Sequence, residues 1–180
     1  MLLQLIGTQL AKYLTKEHIY EDHYFRISID DIKSALEPGD VVLVEGQSRI
    51  SNAIQFITNS NWSHAAIFIG EAGSLSHCLI EVKAVDGCIF TDIDVYMHHN
   101  LRICRPVFLN NKKRKILINY LIKKIGSKYD LKNIIDLIRY VFPTPPVPKK
   151  LRRNLIGIGA GDPTKAICST LIAEAFKEIG

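Results

Sequence analysis

Between Val41 and Val107 the apolar residues fall into five short runs: VVLVEG, HAAIFIG, HCLIEVKA, about Gly87 to Ile93, and LRICRPV. Each is bounded by turn-forming residues and rich in β-branched or apolar side chains, which is the signature of strands. Glu37-Pro38-Gly39-Asp40 is a turn that launches the first run, and a Gly/Ser turn separates the second from the third. The middle of the chain therefore reads as an antiparallel sheet. On either side the apolar spacing becomes helical. MLLQLIGTQLAKYLTKE reads as an amphipathic helix that packs on the domain, with a membrane-surface role as its alternative. Further helices are expected over Ile29–Leu36, from a Ser48 cap to Thr58, over Asn111–Lys124 with a basic face, over Asp130–Val141, and from Lys165 to Ile179. PTPPVP, Pro143 to Pro148, cannot be regular structure.

A sheet in the middle with helices at its flanks is an α+β arrangement. With 180 residues, 47% of them hydrophobic, the chain is long enough to bury a core without disulfides or metals. One domain is expected over residues 1–180, with a helical extension at 1–36 and a Pro/Gly-rich basic loop insert at 143–162. No stretch approaches the roughly 18 to 20 apolar residues that span a bilayer. The N-terminus lacks the basic and small-residue features of a signal peptide, so a cytoplasmic location is expected. The net charge of +5 points weakly to anionic partners. No nucleic-acid motif is present and aromatic residues do not interleave with the basic runs, so nucleic acid is not an expected partner.

Four cysteines occur, Cys78, Cys88, Cys104 and Cys168, and none has zinc-type C-x2-C spacing. Three lie in strand-like runs, where cysteine is usually a small buried hydrophobe. Cys168 differs. It follows Asp162, Pro163 and Thr164, which carry helix-start signals, and so stands near the beginning of the last helix. A thiol there meets unpaired N–H groups and the positive end of the dipole, which favour the nucleophilic thiolate. A packing role stands beside this one, because Cys168, Ile172, Ala175 and Ile179 share a helix face.

A cysteine nucleophile needs a base. His64 opens the run HAAIFIG after the polar loop Asn59 to Ser63, at a strand end where a cleft can form. A structural role for this histidine is the alternative, and His77 is a weaker rival for the base. If the hairpin folds about Ala72/Gly73, opposed residues sum to 145, which sets Glu81 opposite His64 on one face of the sheet. Glu81 follows the apolar run Cys78-Leu79-Ile80, where a carboxylate is costly unless paired. A carboxylate on one imidazole nitrogen, with the other facing a thiol, is the logic of a triad. His98-His99 suggests a metal only superficially, since adjacent residues point in different directions; no metal and no cofactor are expected.

At this point the chain resembles a family. PGDVVLVEGQSRISNAIQFITNSNWSHAAIFIG, IEVKAVDGCIF, IGSKYDLKN and ICSTLIAEAF together are similar to the YiiX/YebB-like branch of the circularly permuted NlpC/P60 papain-like hydrolases. In that branch the histidine strand precedes the cysteine helix, and here His64, Glu81 and Cys168 come in that order. The resemblance implies a permuted papain-like fold, with a central antiparallel sheet or small barrel against helices. It implies Cys168 as nucleophile, His64 as base and Glu81 as third member, acting on an amide, ester or thioester. It places Tyr129 of the YD segment at the site, with Trp62 and Ser63 of the WSH segment as substrate-binding candidates. Two features depart from the pattern: the basic Pro-rich insert, and a chain that stops at Gly180 soon after the cysteine helix.

The expected function is that of an amidase- or peptidase-like cysteine hydrolase with a small-molecule, peptide or acyl-lipid substrate. A lipid acyltransferase or phospholipase on the same fold, touching an anionic membrane surface, is one alternative. A catalytically inactive binding module is another.

Overall fold

The computed structural model describes residues 13, 15–16, 28–127 and 167–180, with the side chains of Ile57, Ile167 and Cys168 outside the description. Most of the expected N-terminal helix, the expected helix at 130–141 and the loop insert at 143–162 lie outside these residues.

The first helix, α1 (Ile29–Ala35), starts at Ser28, whose hydroxyl accepts from the Asp30 N–H; Asp30 and Asp31 occupy the dipole-favoured first turn. Strand β1 (Val41–Glu45) follows, then α2 (Arg49–Thr58) with the expected Ser48 cap. Next come β2 (His64–Ala72), β3 (Leu75–Lys83), β4 (Gly87–Asp92), a 3-10 turn (Ile93–Tyr96) and β5 (Asn100–Cys104). Helix α3 spans Asn111–Lys124, capped by Asn110, and α4 spans Ile167–Lys177. The strands form one antiparallel sheet in the order β4-β3-β2-β1-β5. Of the two expected forms, sheet or small barrel, the described strands make the open sheet.

Alternation along β2 and β3 divides the core. Ile67, Ile69, Ile80 and Val82 face Leu117 and Leu121 of α3 and Leu171, Ala175 and Ile179 near or in α4. Each fully buried leucine there stabilises the fold by about 1.5–3 kcal/mol. Val42, Val44, Ala66, Phe68 and Leu79 take the other side with Ile93, Tyr96 and Ile32. His64 and Glu81 are in phase with this second set.

The turn before β1 is tied down twice. Gly39 has φ +100, and a Cβ there would lie 2.3 Å from Leu109 Cδ2, so the position requires glycine. Asp40, 2% exposed, accepts from Arg105 Nε at 3.0 Å and Nη2 at 2.8 Å, and from the Glu37 N–H at 2.8 Å. This bidentate clamp fastens the start of β1 to the end of β5. It also accounts for the strand that the sequence extends furthest beyond its end: LRICRPV is strand only to Cys104, because Arg105 turns back to Asp40.

The hairpin register differs from expectation in an instructive way. The observed pairs Ile67↔Ile80 and Phe68↔Leu79 sum to 147, because the turn falls at Gly73-Ser74. The slip is two residues. A slip of two moves Glu81 from a position directly opposite His64 to a diagonal one and keeps both on the same face, whereas a slip of one would have separated them.

Candidate active site

His64 is delivered by a braced loop. Asn59, with φ 48, ends α2 in the left-handed conformation. Gln55 Nε2 then donates to the Asn61 carbonyl at 2.7 Å and to the Gly46 carbonyl at 3.2 Å. Ser63 is buried; its N–H donates to the Val44 carbonyl and its hydroxyl accepts from the Gly46 N–H at 3.0 Å. His64 is thereby set opposite Val44 at the first position of β2.

From there the ring reaches across to Glu81 on the neighbouring strand β3. His64 Nε2 lies 2.5 Å from Glu81 Oε2, and the Tyr96 hydroxyl donates to the same oxygen. Glu81 is 1% exposed. Its Oε1 has no hydrogen-bond partner among the described residues, but Lys83 Nζ stands 3.4 Å away. Burial alone would raise this carboxyl. The hydrogen bond and charge of His64, with Lys83 behind it, outweigh burial and lower its pKa from 4.5 to about 2. Glu81 is therefore a carboxylate at neutral pH, pinned by a histidine, a phenol and a more distant ammonium. Tyr96 is itself packed edge-on against His99, with ring centroids 5.6 Å apart.

A cavity of about 260 Å³ adjoins this network through Tyr96. Trp62, Asn61, Glu45, His99 and Asn100 line it, and Asn100 Nδ2 donates to Glu45 Oε2 at 2.8 Å.

The model of the permuted papain-like amidase family, YaeF/YiiX, C92, matches residues 35–140, more than half of the chain. This chain belongs to the permuted papain-like amidases. Among solved structures, the metalloprotein YiiX from Escherichia coli O157:H7 is similar at 22% identity and a TM-score of 0.45, over 53% of this chain and 54% of that one. The chain thus spans about half the length of that structure. No curated protein matches.

The family match contains His64 and Glu81 and ends before Cys168. Cys168 stands in the first turn of α4, a helix held to the sheet by Leu171 and Ala175, and its side chain lies outside the description. Tyr129 lies outside the described residues altogether. Trp62 lines the cavity, whereas the Ser63 hydroxyl is engaged within the loop that carries His64. Among the described residues, no group of three or more His, Cys, Asp or Glu side chains is arranged to hold a metal ion. No described helix is long and apolar enough to cross a membrane.

Two residues of the network escaped the sequence reading. Lys83 had a signal: it lies two residues beyond Glu81 in a strand, hence on the same face. Tyr96 had none, because the 3-10 turn that aims it has no apolar period; Asp92, whose side chain accepts from the Asp94 N–H at 3.0 Å, starts that turn.

Proposed function

We propose that this permuted papain-like amidase is a cysteine-dependent hydrolase that cleaves an amide, ester or thioester, with Cys168 as nucleophile, His64 as proton carrier and Glu81 as the group that orients it. The observation that carries this reading is the buried Glu81 carboxylate held on Nε2 of a histidine at the mouth of a strand. That contact directs the Nδ1 side of the ring towards proton transfer. The Cys168 thiolate attacks the carbonyl carbon, and the oxygen takes the negative charge. The Cys168 backbone N–H at the helix start is suited to stabilise it. His64 gives its proton to the departing nitrogen, oxygen or sulfur, leaving an acyl-thioester on Cys168. Water, deprotonated by His64, then releases the acid and restores the thiol. Glu81 fixes the imidazole tautomer and offsets the positive charge of the imidazolium. The cavity lined by Trp62 is the subsite for part of the substrate.

The test is the rate of iodoacetamide alkylation at each cysteine against pH, read by peptide mass spectrometry. Cys168 is expected to react fast well below the ordinary thiol pKa of ~8.5, and to lose that phase in His64→Ala. Cys78 and Cys88 serve as internal controls, because burial pushes both thiols up. A slow, ordinary profile at Cys168 would overturn the nucleophile assignment.

A further inference from the structure

Helix α3, NKKRKILINYLIKK, carries six basic residues and no acidic one. Its inward stripe is accounted for: Leu117 and Leu121 are fully buried against the sheet. So are three of its cations. Arg114 pairs with Glu37 and Lys124 with Glu174, while Lys113 donates to the Gly180 carbonyl and lies over the Phe108 ring.

The opposite side is unusual. Lys112, Lys115, Ile116, Asn119, Ile122 and Lys123 are all exposed or half-buried at the surface. At about 100° per residue they fill one continuous third of the helix circumference. Ile116 is 41% and Ile122 44% exposed. The loop entering the helix adds Val107, 100% exposed, while Phe108 beside it packs edge-on against Phe176 and under Lys113. Single exposed apolar residues are ordinary, and solvated helix faces commonly mix both signs of charge. Here two isoleucines share an arc with three lysines and no carboxylate, and Val107 leads into it.

We propose that this face docks the domain on an anionic lipid bilayer. Ile116 and Ile122, with Val107 at the helix entrance, enter the boundary between headgroups and acyl chains, and Lys112, Lys115 and Lys123 meet the headgroup phosphates and carboxylates. A nucleic acid would satisfy the lysines but would leave the isoleucines in water. The face lies on the helix-bearing side of the sheet, away from the His64, Glu81 and Tyr96 side chains. Docking therefore sets the bilayer on the side of the sheet that also carries α4, and leaves the side of His64 and Glu81 uncovered. The proposal does not depend on the catalytic assignments.

Co-sedimentation of the full chain with vesicles tests it. Binding is expected to vesicles of phosphatidylcholine mixed with phosphatidylserine, to weaken with salt, and to be far weaker for phosphatidylcholine alone. Changing Lys112, Lys115 and Lys123 together to Gln should lower the vesicle partition coefficient on the order of 100-fold, about fivefold per lysine. Ile116→Ser with Ile122→Ser should also weaken binding while its salt dependence remains. Circular dichroism and thermal unfolding should be unchanged in both variants, since the altered side chains lie at the surface. Failure of the wild-type chain to bind the mixed vesicles, or undiminished binding by the lysine variant, would overturn the proposal. So would competition by single-stranded RNA combined with no effect of the isoleucine changes, which would assign the face to polyanions.

Discussion

Cys168→Ala is expected to abolish turnover, by about 10⁵-fold or more, while the thermal midpoint stays within a few degrees of wild type. The reason is chemical and local. Alanine has no atom that can form the acyl-thioester, and the core cysteines are not placed to substitute: Cys78 and Cys88 are buried. The fold should tolerate the change because α4 is anchored further along, by Leu171, Ala175 and then Ile179. His64→Ala should cost nearly as much activity, since nucleophile and base act as a unit. Combining the two should add little to either. The measurement is release of acid from a panel of acyl amides, esters and thioesters by wild type, both single variants and the double variant, with the enzyme-free reaction as the blank. Additive losses would mean that the two residues act separately, and full activity in Cys168→Ala would remove the cysteine from the mechanism.

Much of this arrangement was legible because strands and helices have different periods. The expected helix Asn111–Lys124 and the Ser48 cap agree with the observed elements, and HAAIFIG and HCLIEVKA lie almost wholly within β2 and β3. The pairing of His64 with Glu81 came from a register two residues off. It survived because faces repeat every two residues, not because the turn was placed correctly. What sequence could not supply were contacts between distant elements. Arg105 and Asp40 are 65 positions apart, and nothing local marks Arg105 as a clamp. Tyr96 reaches Glu81 from a turn whose direction is set only once β4 is docked on β3.

Glu81→Ala should be the most destabilising change in the network. It removes the carboxylate that accepts from His64 Nε2 and the buried Tyr96 hydroxyl, and leaves a void where a fully buried side chain stood. The expected loss is about 3 kcal/mol, or roughly 6–12 °C in thermal midpoint for a chain of this size. Glu81→Gln keeps the shape and one acceptor. It should unfold closer to wild type yet still lose turnover by about 10²- to 10⁴-fold, because an amide does not offset the imidazolium charge. Acid separates the two contributions. The folded carboxyl titrates at about 2 against an ordinary 4.5, so its depressed pKa contributes stability that is fully present above pH 4.5 and is lost as pH falls through that window towards 2. The lost contribution is about 3 kcal/mol. Wild type should therefore weaken steeply in urea unfolding over this range, and Glu81→Gln much less so. Tyr96→Phe removes one of the two donors to Oε2, so its acid weakening should be smaller and end at a higher pH than in wild type, and its stability at neutral pH should fall by about 1–2 kcal/mol. Parallel acid curves for wild type and Glu81→Gln would mean that the carboxylate is not held as an ion by His64, and the orienting role assigned to Glu81 would fall with it.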